Sequence, residues 1–326
     1  MLNIGMIGAG RVAEVHLPAL HASPVLRLVG VHDSDAARMA ARASEWDVTA
    51  YPEMQSMLES PEIDAVLVLT HVDSHLAIAR AAVAEGKHVF VEKPVGREPD
   101  EILELERLAS ERGVVVMPGH NYAYLPEFAR MKRLVEAGDL GRVRAIFVNY
   151  VIRHPEEVAK DYSGVIEEVM IHHLYLTLAL LGAPLRVIAG TPTTGWERHE
   201  AEDQGWMTLD YGSATAHSFC TFAVEDMSNS PWTFLVKVLG TEGSAVVDFR
   251  SAIFARALGT LPYALVPYEE SYGNELAAFA AAIEWDVPLL STLGDAAAAA
   301  GLVEAAYLSR TTGAFVSREH AGRRLW

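Results

Sequence analysis

The sequence predicts an α/β N-terminal domain built on a doubly wound parallel sheet. An α+β C-terminal domain with an open, mainly antiparallel sheet follows. Three observations predict this. An apolar strand, Leu2 to Ile7, runs into the turn Gly8-Ala9-Gly10 and then a helix-forming segment. Strand-like and helix-like segments alternate through short connections as far as residue 120. From residue 142 onward long apolar strands dominate, with turn residues at Gly212-Ser213 and Thr241-Glu242-Gly243. These divide the chain into a first domain, 1–120, and a second, 121–326.

The first strand carries the clearest chemistry. Gly8-x-Gly10-x-x-Ala13 has the spacing of a dinucleotide-binding turn. Gly8 permits a tight turn, Gly10 lets a pyrophosphate approach the backbone, and Ala13 lets the helix pack on the strand. The amides of Arg11 and Val12 stand at the helix N-terminus, where N–H groups and the dipole favour phosphate. A second strand over 26–31 ends at His32-Asp33, and an acid about 20 residues past the glycines suits the ribose hydroxyls.

The rest of the first domain follows in order. Ala36 to Glu45 reads as a helix and Met54 to Glu59 as a short one. Ile63 to Thr70 is a buried strand, and His75 to Glu85 is a helix stopped by Gly86. Val89-Phe90-Val91 is a strand, Asp100 to Arg112 a helix closed by Gly113, and 114–117 another strand. Such sheets bind ligands beyond the carboxyl ends of their strands. Lys93 in Glu92-Lys93-Pro94 stands just there, where a lysine reaches a substrate hydroxyl beside a nicotinamide.

In the second domain Leu125 to Ala137 is a helix. Strands follow at 143–153, 185–192, 206–211, 214–223, 233–239 and 244–249, interrupted by a helix at 165–181. Helices near 273–285 and 295–310 close the chain. Trp206, Trp232 and Phe234 read as sheet packing rather than sugar stacking. The strands are apolar on both faces: Ile146, Val148 and Tyr150 alternate with Phe147 and Val151, and Phe234, Val236 and Val238 with Leu235 and Leu239. A two-layer monomer needs one apolar face, so a homo-oligomer, dimer or tetramer, is expected.

A formal net charge of −17 argues against nucleic acid and anionic membranes as partners. The single cysteine, Cys220, allows no disulfide within the chain and suits a reducing, cytoplasmic setting. Met1 to Leu20 does not read as a signal peptide, and no apolar run reaches membrane-spanning length. NAD is expected rather than NADP. A 2′-phosphate would meet the Asp33 carboxylate, Ser34-Asp35 adds no cation, and Arg38 lies about one helical turn further on.

The chain resembles the Gfo/Idh/MocA oxidoreductases, named for glucose–fructose oxidoreductase and inositol dehydrogenase. The resemblance covers nearly the whole sequence. It rests on Gly8-x-Gly10-x-x-Ala13 with His16-Leu17-Pro18-Ala19-Leu20, Thr70 with His75, Gly86-Lys87-His88-Val89 with Glu92-Lys93-Pro94, and Gly119-x-Asn121. Asp139 to Val143, Gly240 to Ser244 and the pattern from Glu275 to Val316 extend it.

The resemblance implies a Rossmann domain followed by an open-sheet domain, with catalytic residues at their seam. It implies a hydride transfer between nicotinamide and a secondary alcohol or ketone of a sugar or cyclitol. Lys93 matches the family's catalytic lysine, His172 its histidine and Glu168 its aspartate. Thr70, His75, Glu92 and Asn121 join Gly8, Gly10, Arg11, Val12, Ala13, Asp33 and Lys93 as cofactor candidates. Tyr124, Arg153, Lys160, Asp161 and Tyr162 join Lys93 and His172 as substrate candidates by analogy. The i,i+4 spacing puts Glu168 and His172 on one face of an α-helix, where the carboxylate can orient the imidazole.

The sequence departs from the family pattern in places. Glu168 stands for an aspartate, Met170 for a glycine, Tyr175 where an aspartate is common and Ala123 where an arginine is. These leave the substrate open. An NAD-dependent glycosidase of the same family and a non-catalytic cofactor-sensing regulator are the alternatives. No metal is expected: His173 points roughly 100° away from His172 around a helix, so the pair does not chelate one ion easily.

Overall fold

The computed structural model describes residues 1–159, 162–192, 194–196, 201–224, 233–248, 254–255, 259–260, 268 and 270–326. The chain forms two compact units. One is Met1–Tyr124 with Tyr268–Ala297, and the other is Leu125–Pro267 with Ala298–Trp326. Residues 268–297 thus return to the first unit.

The first unit alternates β1 (Leu2–Ile7), α1 (Arg11–Ala22), β2 (Leu26–His32), α2 (Ala36–Trp46), β3 (Thr49–Ala50), α3 (Met54–Leu58), β4 (Ala65–Val68), α4 (Val72–Ala84), β5 (His88–Glu92), α5 (Pro99–Arg112) and β6 (Val116–Gly119). The strands pair in parallel in the order β3-β2-β1-β4-β5-β6. The chain reverses direction across the sheet between β1 and β4, which makes their carboxyl ends the place where a ligand fits. Residues of β4 are buried on both faces, as a sheet covered twice requires. A short 3₁₀ turn, Asn121–Tyr124, ends the first pass.

The second unit opens with α6 (Pro126–Glu136), β7 (Val143–Val151) and α7 (Glu156–Ala159). A π turn at Ile166–Met170 leads into α8 (Ile171–Leu181). β8 (Arg186–Gly190), β9 (Gln204–Asp210), β10 (Thr215–Thr221), β11 (Thr233–Gly240), β12 (Ser244–Asp248), β13 (Phe254–Ala255) and β14 (Gly259–Thr260) follow. The chain then forms α9 (Glu270–Trp285) in the first unit and α10 (Leu293–Thr312). It closes with β15 (Val316–Ser317), β16 (Glu319–His320) and β17 (Arg323–Arg324).

The large sheet runs β14-β13-β12-β11-β7-β10-β9-β8-β15, and β7–β10 is its one parallel pair among the described strands. Both predicted hairpin turns are present. Gly212 takes φ +75° between β9 and β10, and Gly240 N donates to Gly243 O at 2.8 Å. One face of this sheet is core: Ile146, Val148, Ala216, Val236, Val238 and Leu209 are fully buried. The other keeps Phe147 at 36% and Trp206 at 41% exposure, with Phe147 stacked on His217. Trp206 lies across Gly190, where a Cβ would come within 2.5 Å of its indole nitrogen, and Phe234 is core. Trp232 lies outside the described residues.

Candidate active site

The glycine turn is built as its spacing predicts. Gly8 takes φ +94°, and a Cβ there would stand 2.7 Å from Leu69 O and 2.9 Å from Thr70 Cγ2, so only glycine fits between the β1 and β4 ends. A Cβ on Gly10 would meet nothing within 4 Å, so this residue faces open space. α1 begins beside it with no side-chain cap, Arg11 and Val12 are exposed, and Ala13 is fully buried against the sheet. An uncapped helix N-terminus next to an open glycine fits a dinucleotide pyrophosphate.

Asp33 closes the β2 end of this cradle. Its Oδ2 accepts from Ala9 N at 2.7 Å and Arg38 Nε at 2.9 Å. Its Oδ1 accepts from Asp35 N at 2.8 Å and Arg38 Nη2 at 2.7 Å. Burial pushes the carboxyl up, but the Arg38 fork and the two amides outweigh it and hold it below the usual carboxylate value. Asp35 caps α2, accepting from Ala37 N and Arg38 N.

The ends of β4 and β5 are tied together by His75. Its Nδ1 lies 2.7 Å from Pro94 O and its Nε2 2.9 Å from Thr70 O. Burial lowers its pKa despite those carbonyls, so the ring is neutral and donates to one of them at a time. His75 thus holds the loop after Lys93 to the loop carrying Thr70, whose Oγ1 bonds Ser74 Oγ at 2.7 Å.

Glu92 ends β5. Burial raises its pKa, but the His16 bond and the charges nearby outweigh burial, so the carboxyl is ionised. An ionised carboxylate only accepts, so His16 Nε2 carries the proton across the 2.7 Å contact. The second oxygen accepts from Lys93 N at 3.0 Å, and the half-buried Lys93 follows on a cis Lys93–Pro94 peptide.

α9 supplies residues the sequence did not mark as part of this site. Ser271 Oγ accepts from Asn121 Nδ2 at 2.9 Å, and the Tyr272 ring meets His16 edge-on at 5.0 Å. Tyr272 and Tyr268 bond through their hydroxyls at 2.7 Å. Glu275 is fully buried, and burial, helped by the Glu92 charge, pushes its carboxyl well above the usual range. The spacing of Leu276, Phe279 and Ala280 marks a buried helix but says nothing of which sheet it covers. Tyr124, a substrate candidate, is buried in this unit: it is 6% exposed, with its hydroxyl 4.0 Å from Met117 Sδ.

The second unit carries Glu168 and His172. The expected α-helix over 165–181 is interrupted, because residues 166–170 form a π turn and the α-helix starts at Ile171. Glu168 therefore sits in the π turn and His172 on the first turn of α8. Glu168 Oε1 lies 3.5 Å from Ser163 N, and His172 is 8% exposed. His173 faces the core instead, with Nδ1 2.5 Å from Ser218 Oγ, and burial lowers its pKa to about 3.

Glu202 anchors the start of this segment. Its Oε1 accepts from Ile166 N at 3.2 Å and from the Tyr307 hydroxyl at 3.0 Å, and its backbone O accepts from Val165 N at 3.0 Å. Gly164, at φ +117°, lies against that carboxylate, and a Cβ would stand 2.5 Å from Oε1. The sequence carries no local signal for this, since Glu202 is 36 residues from Ile166. Arg153 is exposed, while Tyr162 is half-buried beside His154 and Phe222. Lys160 and Asp161 lie outside the described residues. Among the described residues no group of three or more histidine, cysteine or carboxylate side chains is placed to hold a metal.

The sheet order and the glycine cradle define a dinucleotide-binding protein of the Rossmann class. Residues 2–120 match the family model described as an oxidoreductase family with an NAD-binding Rossmann fold, and 128–246 match the GFO/IDH/MocA C-terminal domain. The chain belongs to the Gfo/Idh/MocA oxidoreductase family. Inositol 2-dehydrogenase of Rhizobium meliloti (strain 1021) is 23% identical over 94% of this chain and 96% of its own. The scyllo-inositol 2-dehydrogenase (NAD(+)) of Bacillus subtilis (strain 168) is 28% identical over 76% of this chain and 73% of its own. The crystal structure of GenD2 from gentamicin A biosynthesis, in complex with NAD, superposes with a TM-score of 0.84 at 25% identity. It covers 97% of this chain and 96% of that one.

Proposed function

We propose that this protein is an NAD-dependent dehydrogenase or reductase acting on a secondary alcohol or ketone of a sugar or cyclitol. One observation carries the reading furthest. Lys93 follows the carboxyl end of β5, on the same sheet edge as the Gly8–Gly10 turn and Asp33. The inositol dehydrogenases among the relatives support the substrate class, and the NAD complex of GenD2 supports the cofactor. Neither a glycosidase nor a regulator finds support among these relatives.

The nicotinamide, when bound, takes up or gives back the hydride. The chain's own residues do the rest. The Gly10 backbone and the start of α1 receive the phosphates, and Asp33 receives the adenosine ribose. Lys93 and His172 handle the proton of the reacting hydroxyl, with Glu168 supporting His172. Glu92, held by His16, gives Lys93 an anionic neighbour and fixes its amide. Arg153 and Tyr162 stay as substrate contacts. The single buried thiol, Cys220, suits a reducing compartment, and we place the protein in the cytoplasm.

The test is a panel of inositols and monosaccharides offered to the full chain with NAD, read by the absorbance of reduced nicotinamide. Steady turnover of one member is expected. Aryl glycosides cleaved with no net change in nicotinamide redox state would assign a glycosidase instead. Cofactor binding with no turnover of either set would point to the regulator.

A further inference from the structure

Asp33 is already saturated. A carboxylate offers about four acceptor directions, and here the amides of Ala9 and Asp35 fill two and the Arg38 guanidinium fills two. The amides belong to the glycine turn and to the entry of α2, and the backbone holds them in place. The Arg38 fork sits on the first turn of α2 with its side chain 43% exposed. A second carboxylate, Asp35 Oδ2, lies 3.6 Å from its Nη1. A ribose diol arriving at Asp33 has two hydroxyl protons to donate and finds the oxygens taken.

We propose that Arg38 is a specificity-determining gate on Asp33: its fork leaves before the ribose diol is gripped, and the released guanidinium is the cation a 2′-phosphate meets. The proposal rests on the dinucleotide reading of the first unit and adds to it the order of events at the adenosine end. The fork opposes NAD, because its two bonds to Asp33 are broken on binding. It helps NADP, because a planar guanidinium pairs with phosphate in two-point fashion. Discrimination between the cofactors is then narrower than Asp33 alone would make it. Asp35 keeps the fork beside the site during the exchange.

Calorimetric titration of the full chain with NAD and with NADP, in the wild type, Arg38→Ala and Arg38→Lys, tests this. An ion pair exposed on its arginine side carries about 1 kcal/mol, so Arg38→Ala is expected to bind NAD up to about fivefold more tightly. It should bind NADP about tenfold more weakly, for loss of a charged two-point contact. Arg38→Lys keeps a cation without the fork, so NAD should tighten while NADP stays within about twofold of wild type. An unchanged NAD-to-NADP ratio in Arg38→Ala overturns the gate, and so does weaker NAD binding in that variant. Absence of binding of either dinucleotide to all three proteins overturns the cofactor reading itself, and the gate with it.

Discussion

Lys93 is the residue on which the proposed chemistry turns. Lys93→Met keeps the stem and removes the amine, and turnover should fall by about 10²–10⁴, the scale of a positioned acid–base group. His172→Phe should fall comparably, and Glu168→Gln less, since Glu168 acts through His172. NAD affinity by calorimetry should hold in all three, because the phosphates and ribose meet Gly10 and Asp33. Near-wild-type turnover in Lys93→Met would sink the mechanism, and full activity in His172→Phe would return that histidine to packing. Asp33→Ala should narrow or reverse the preference for NAD, for it removes the ribose acceptor and releases the Arg38 fork from it. A wild type that binds NADP more tightly than NAD contradicts this reading of Asp33. His173 makes a separate, acid-range prediction. Its native pKa of about 3 lies below the 6.5 of the free ring, so between those values the unfolded chain binds more protons. Stability therefore falls as pH drops below 6.5 and levels off near 3. His173→Gln should flatten that part of the curve in urea unfolding at a series of pH values. A slope equal to wild type would show that the ring titrates normally.

The informative element is the π turn before α8. Gly164 gives the chain a positive φ and the room that the Glu202 carboxylate needs, and Glu202 in turn receives the Ile166 amide. Gly164→Ala should cost about 2–4 kcal/mol in chemical denaturation, from backbone strain together with a clash against backbone-bound oxygen. Glu202→Gln retains an acceptor oxygen and should cost much less than Glu202→Ala. Equal losses in the two Glu202 variants would mean that the amide of Ile166 is not what the side chain is there to hold. In the first unit α9 has the corresponding role, since Ser271 and Tyr272 meet Asn121 and His16, residues whose own neighbours in sequence leave them unplaced.

For the whole molecule the open face of the large sheet decides the expectation. Phe147 and Trp206 remain 36% and 41% exposed on a face whose other residues are half-buried, while the opposite face is core. Large aromatics exposed on a sheet face favour self-association, and a two-fold dimer is the simplest closed arrangement. Light scattering should give a multiple of the 35.5 kDa chain mass, and Phe147→Glu with Trp206→Glu should shift it toward one chain without unfolding. A one-chain mass for the wild type at micromolar concentration would exclude the oligomer. Among the described residues no helix is long and apolar enough to cross a membrane.

Local rules determined what the sequence made legible. The strand–Gly8–Gly10–helix turn, the alternation up to β6 and the hairpins at Gly212 and Gly243 follow from backbone freedom and side-chain periodicity, which neighbouring residues set among themselves. The position of Lys93 after β5 follows for the same reason. Tertiary structure decided the rest, because the partners are far apart in the chain. Glu202 meets Ile166 across 36 positions and Asn121 meets Ser271 across 150, and no periodic pattern encodes either pairing. Tyr124 packs with Leu276, Phe279 and Ala280 of α9, a partnership across some 150 positions that no local pattern marks. Asp33 shows the division within one side chain: spacing from the glycines places it, but only the turn of α2 brings the Arg38 fork onto its last two acceptor directions.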